Sequence, residues 1–102
     1  MARVVFTDAA DSDSDSIYAD LHERAGKTTV GKYRALFKEL YGRWAAFPDS
    51  GAPRPRLGRN IRIGVVSPYI VIYRHVEADD ALIVLRIVHG KRKITGKMLR
   101  GR

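Results

Sequence analysis

The stretch Tyr69–Ile94, YIVIYRHVEADDALIVLRIVHGKRKI, reads as two long apolar strands joined by an acidic turn and ending in a burst of positive charge. Tyr69–His75 and Ala81–His89 are dense in Val, Ile, Leu and Tyr, which fit a pleated, half-buried surface. Val76–Asp80 supplies the turn between them. By simple alternation Leu82, Val84, Arg86 and Val88 share one face of the last strand, and Ile83, Leu85 and Ile87 share the other. Apolar residues on both faces predict a strand covered on both sides.

Upstream, Ile61, Ile63 and Val65 alternate with Arg62 and Gly64, a half-buried strand that turns through Ser67-Pro68 into Tyr69. Before it, Val30, Tyr33, Phe37, Leu40, Trp44 and Phe47 recur at helical spacing, with Leu36 and Tyr41 widening the stripe. This predicts a helix over about Thr29–Phe47, roughly 30 Å long, with its aromatic stripe in the core. Pro48–Pro55 ends it in a stiff loop. Ile17, Tyr18, Leu21 and Ala25 mark an earlier helix over about residues 9–25, capped by Thr7 or Asp8 and closed by Gly26. Asp8, Asp11, Asp13 and Asp15 crowd its start, where negative charge meets the positive end of the helix dipole. Thr28 or Thr29 is placed to open the second helix. Arg3–Thr7 reads as a short first strand whose place in the sheet is left open.

The expected fold is therefore α+β, one domain over residues 1–102 with a basic tail over 90–102. A helical hairpin packs on a small, mainly antiparallel sheet, in the order strand-helix-helix-strand-strand-strand. The hairpin can cover one sheet face. No remaining segment is long enough to cover the other, which points to a partner. Ile94, Met98 and Leu99 allow part of the tail to dock or to form a short helix.

Charge separates the two halves of the chain. Residues 1–50 carry 7 Lys or Arg against 8 Asp or Glu, a net of −1, whereas residues 51–102 carry 12 against 3, a net of +9. Such asymmetry points to an acidic partner, either nucleic acid or protein. The chain has no cysteine, which excludes disulfides and thiolate metal sites and suits a reducing cytoplasm. No apolar run approaches the roughly 18 residues of a membrane span, and the start MARVVFTDAA lacks a signal peptide's apolar core.

Three apparent motifs dissolve on inspection. A calcium loop beginning at Asp11 needs Gly at its sixth position and Glu at its twelfth, where Ser16 and His22 stand. Gly26-Lys27-Thr28 lacks the earlier glycine of a phosphate-binding loop and follows a helix instead of a strand. His22 lies with Glu23 and Arg24 on a solvated helix face, neither His75 nor His89 has a carboxylate at metal-ligand spacing, and no nucleophile motif is present. No cofactor is expected. Arg86 is the odd residue, because a charge in a central strand is costly unless it is paired or faces a groove.

Phe47-Pro48-Asp49-Ser50-Gly51, Pro53-Arg54-Pro55, Leu57-Gly58, Arg62, Tyr69–Arg74 and Leu85–Ile94 follow in an order and spacing that resembles the ParE/RelE superfamily of bacterial type II toxins, the ParE branch most closely. The resemblance spans nearly the whole chain. It implies a non-catalytic inhibitor of DNA gyrase, neutralised by a ParD-like antitoxin whose acidic C-terminal arm wraps the toxin in a hetero-oligomer. The alternative is a RelE-like nuclease that cuts messenger RNA on the ribosome, using basic residues with a tyrosine or a His–Tyr pair near the C-terminus. Here the last tyrosine is Tyr73, and Ile94-Thr95 stands where nuclease relatives carry theirs. Candidate antitoxin- or target-binding residues are Arg56, Arg62, Tyr69, Arg74, Arg86, His89, Lys91, Arg92 and Lys93.

Overall fold

The computed structural model describes residues 1–100, so the last two positions of the basic tail, including Arg102, lie outside the described residues. Its elements are β1 (Arg3–Phe6), α1 (Asp8–Ala25), α2 (Lys27–Ala46), β2 (Ala52–Pro53), β3 (Ile61–Val66), β4 (Tyr69–Val76), β5 (Ala81–His89) and α3 (Gly96–Arg100). The five strands form one sheet in the order β1-β5-β4-β3-β2. β2 to β5 run antiparallel to their neighbours, and β1 lies parallel to β5, pairing Arg3 with Ala81 through to Phe6 with Val84. The expected α+β architecture is observed, with β2 as an unforeseen fifth strand. Pro53 is tolerated there because an edge strand need not donate on its outer side.

The helices begin and end close to their expected bounds. The Thr7 hydroxyl accepts from the Ala10 amide, the N-cap contact expected of it. Gly26, with φ +88°, closes α1 and opens α2 at once. The second helix therefore starts at Lys27, ahead of the threonines predicted to cap it. A left-handed turn of one residue suffices to reverse the chain, so no separate cap is needed.

α1 and α2 cover one face of the sheet. Phe37, Leu40 and Trp44 from α2 and Leu21 from α1 pack on Val71, Tyr73, Leu82, Val84 and Ile87. Trp44 lies over Tyr73 with ring centroids 3.9 Å apart. It also sits where a Cβ on Gly64 would be, so only glycine permits this approach. Phe47 departs from the expected core stripe: the helix has ended before it, and the ring is 66% exposed.

The opposite face is not left bare, which corrects the expectation from sequence. Ile61, Ile72 and Val88 form a second cluster, covered by Leu57 from a 3₁₀ turn (Pro55–Leu57) and by Ile94, Met98 and Leu99 from the tail. A short amphipathic segment suffices because this face is narrow. The alternation expected along β5 is also broken. Ile72 pairs with Arg86 but Tyr73 pairs with Val84, leaving Leu85 as an extra residue in a β-bulge. The bulge flips the phase, so Ile87 joins Leu82 and Val84 under the helices, while Leu85 and Val88 face the tail.

Candidate partner-binding surface

Three of the nine candidate residues are engaged inside the fold. Tyr69 is 5% exposed and packs edge-on against Tyr33, so it is a core side chain. Burial raises its phenol above the usual value, and the nearby Arg24 partly offsets this. Arg62 projects from β3 and donates to the Gly51 carbonyl at 2.8 Å, with Asp49 3.8 Å away. It fastens the loop after α2, helped by Tyr73, whose hydroxyl donates to the Pro48 carbonyl at 2.7 Å and accepts from the Gly51 amide.

Arg86 is the third. Its Nε and Nη2 donate to the two oxygens of Asp13 at 2.7 and 3.0 Å, and the Ile87 amide donates to the same carboxylate at 2.9 Å. Both side chains are largely buried. The hydrogen bond to Asp13 holds the Arg86 guanidinium charged, outweighing the effect of burial. β1 stops opposite Val84, so β5 runs on beyond it with an open edge. Thr7 donates to the Leu85 carbonyl and Asp13 accepts from Ile87, which closes the first part of that edge with side chains. An aspartate in the crowded start of α1 thus resolves the odd arginine of β5. Its signal in the sequence was only a surplus of acid.

The other six candidates are exposed: Arg56, Arg74, His89, Lys91, Arg92 and Lys93. They do not make one cluster. Arg74 lies near the far end of β4, where it donates weakly to the Arg59 carbonyl at 3.4 Å, close to the loop carrying Arg54 and Arg59. His89 pairs with Tyr69 at the opposite end of the same hairpin, about 17 Å along the strand. There its Nδ1 accepts from the Lys91 amide in the turn holding the remaining three cations. Arg56 sits on the 3₁₀ turn against which α3 packs. Among the described residues, none of these six makes a salt bridge.

His75 and His89 fall at opposite ends of the hairpin and cannot act together. His75 has neighbours the sequence did not suggest: Nδ1 is 3.1 Å from Asp49 and Nε2 is 3.6 Å from Asp80. The ring is held between two loops with its Nε2 enclosed, and it borders a cavity of about 310 Å³ that Asp49, Arg62 and Glu77 also line. Among the described residues no group of His, Asp or Glu is arranged to hold a metal ion, and no helix is long and apolar enough to cross a membrane.

All five tyrosines belong to the helix-side core: Tyr69 and Tyr73 are buried in it, and Tyr18, Tyr33 and Tyr41 pack against it. Tyr69 meets His89 edge-on, ring centroids 6.0 Å apart, where the basic turn begins, and the Arg34 guanidinium lies 4.2 Å from the centroid of the Tyr18 ring. What the surface offers is positive charge without salt-bridge partners among the described residues, which suits binding an anionic partner.

A family model for the ParE toxin of the type II toxin-antitoxin system parDE matches residues 4–94. Toxin ParE3 of Caulobacter vibrioides (strain ATCC 19089 / CIP 103742 / CB 15) is 28% identical over 98 residues, covering 96% of each chain. A solved chain from the chromosomal ParDE TA system of P. aeruginosa shares the fold, with a TM-score of 0.71 and 23% identity over 87% of this chain and 96% of that one.

Proposed function

Because the chain belongs to the ParE toxin family of type II toxin–antitoxin systems, we propose that it inhibits DNA gyrase by binding, without catalysis, and is neutralised by a ParD-like antitoxin. The observation that carries the non-catalytic reading is the placement of the tyrosines. All five lie in or against the core under the helices, and Tyr69, the one that reaches His89, is 5% exposed with its phenol raised by burial. Phosphodiester cleavage needs a group to move protons beside the cations that hold the phosphate. Arg86 is clamped to Asp13 and has little freedom to meet a phosphate.

The exposed cations support an acidic antitoxin arm. Their opposing charges would steer the arm's approach and fix its register. The toxin and antitoxin would then form a hetero-oligomer in the cytoplasm. The second reading is a ribosome-dependent messenger RNA endoribonuclease. It is favoured by His89, an exposed imidazole that lies edge-on to Tyr69, with ring centroids 6.0 Å apart, and beside Lys91 and Arg92.

Expression of the toxin without its antitoxin separates the two readings. Gyrase inhibition predicts induction of the DNA damage response before protein synthesis falls. Rapid loss of translation with cleaved messages, and no DNA damage signal, would overturn it in favour of the nuclease.

A further inference from the structure

The second edge of the sheet is only partly closed. β2 pairs with β3 at Ile63 and Arg62, and the Arg54 amide donates to the Ile61 carbonyl. The outward backbone positions on β3 are therefore Ile61, Ile63 and Val65, since Arg62, Gly64 and Val66 face β4. β2 ends short of Val65. Among the described residues nothing accepts from or donates to the outward amide and carbonyl of Val65.

Apolar surface concentrates at this edge. Leu36, Phe47, Val65 and Met1 are the exposed large apolar side chains among the described residues, and Leu36 and Val65 lie here. Leu36, Leu40 and Arg43 follow one another at helical spacing along the margin of α2. Val65 stands between two grooves. The one toward α2, about 280 Å³, is lined by Leu36, Leu40, Arg43 and Val66. The one on the other side of the sheet, about 350 Å³, is lined by Pro68, Ile70, His89 and Lys91.

We propose that an extended segment of the antitoxin, with apolar and acidic side chains in alternation, adds as a short strand to β3 at Val65. This rests on the toxin–antitoxin reading and goes beyond it by assigning a site. A strand placed there continues the line of β2 and satisfies Val65's two free backbone groups. Its successive side chains point to opposite sides of the sheet, one into each groove. Each groove has apolar walls and a cation, Lys91 in one and Arg43, with Glu39 also in the lining, in the other, and neither cation makes a salt bridge among the described residues. The chemistry that fits is an apolar residue with a carboxylate within reach. A second copy of this chain fits poorly, because each copy carries a net charge of +8.

Amide hydrogen exchange on the toxin, alone and in complex with its full-length antitoxin, tests this. Binding should protect Val65, and Val65→Pro, which removes the outward N–H, should weaken the antitoxin complex about tenfold or more. Val65→Lys, which retains the N–H but places a charge on the edge, should weaken it as well and covers the case in which the proline variant fails to fold. Leu36→Asp should do the same through the groove beside α2. If the antitoxin binds the Val65→Lys and Leu36→Asp variants as tightly as wild type and leaves Val65 unprotected, the edge site is wrong while the toxin–antitoxin reading stands. If wild type fails to bind the antitoxin at all, both are wrong. Protection of Val65 that grows with toxin concentration in the absence of antitoxin would make the occupant a second copy and overturn the proposal.

Discussion

The two faces of the sheet are built from the same strands but held by different means. Under the helices, Trp44, Phe37, Tyr73 and Leu82 interlock in a deep aromatic core drawn from nearly every element. On the other face Ile61, Ile72 and Val88 are covered by a 3₁₀ turn and a five-residue helix whose apolar side chains are only half buried. The first face bears the weight of folding. The second is thin and ringed with cations, and a partner can engage its rim without disturbing the core.

This difference can be broken most directly at Trp44. Trp44→Ala should cost about 3–5 kcal/mol, read as a lower denaturant midpoint, and leave little folded protein. Next comes the tie between α1 and β5. Asp13→Ala leaves Arg86 and the Ile87 amide unpaired, at an expected cost of about 3 kcal/mol. Adding Arg86→Met should restore much of that loss, and a double-mutant cycle measures the coupling. On the thin face, Met98→Ala should cost only about 1–2 kcal/mol because the side chain is half exposed. Equal costs at Met98 and Trp44 would erase the distinction between the faces.

Smaller still is the effect on stability of replacing Lys91, Arg92 and Lys93 together by alanine. It should stay within about 0.5 kcal/mol, while antitoxin binding weakens and loses part of its salt dependence. At neutral pH the last prediction has no effect at all. Burial raises the phenols of Tyr18, Tyr41, Tyr69 and Tyr73, so the folded state resists their ionisation. Their contribution is fully present below about pH 10, the value for an unfolded tyrosine, and is lost as the pH rises beyond it. Phenolate absorbance and circular dichroism followed upward from pH 9 should change together. Phenolate formation well before unfolding would contradict the burial.

Much of the helix-side core was legible because periodicity reports burial directly: the spacing from Val30 to Trp44 fixes which side of α2 faces the sheet. Phe47 satisfied the same spacing yet lies outside, since Pro48 stops the helix and spacing has no meaning beyond a helix end. Alternation along β5 failed at Leu85 for a related reason. A bulge inserts one residue, and no local signal marks it, because Leu85 is as apolar as its neighbours. The partners of Arg86 and His75 were hidden because Asp13, Asp49 and Asp80 reach them only through the tertiary fold. The candidate surface was legible as charge but not as shape: the sequence grouped nine residues that the fold divides into three engaged inside it and six exposed ones that do not make one cluster.

The parallel pairing of β1 with β5 has a consequence in time. The hydroxyl of Thr7 meets Leu85 across 78 positions, so the first strand to be synthesised pairs with the last. At roughly 5–20 residues per second, β1 leaves the ribosome and stays unpaired for about 4–16 s before its partner exists. The sheet cannot close until most of the chain has been made, and contacts of such long range slow folding further. The finished toxin surface, with its clamped Arg86, is therefore among the last parts of the molecule to form.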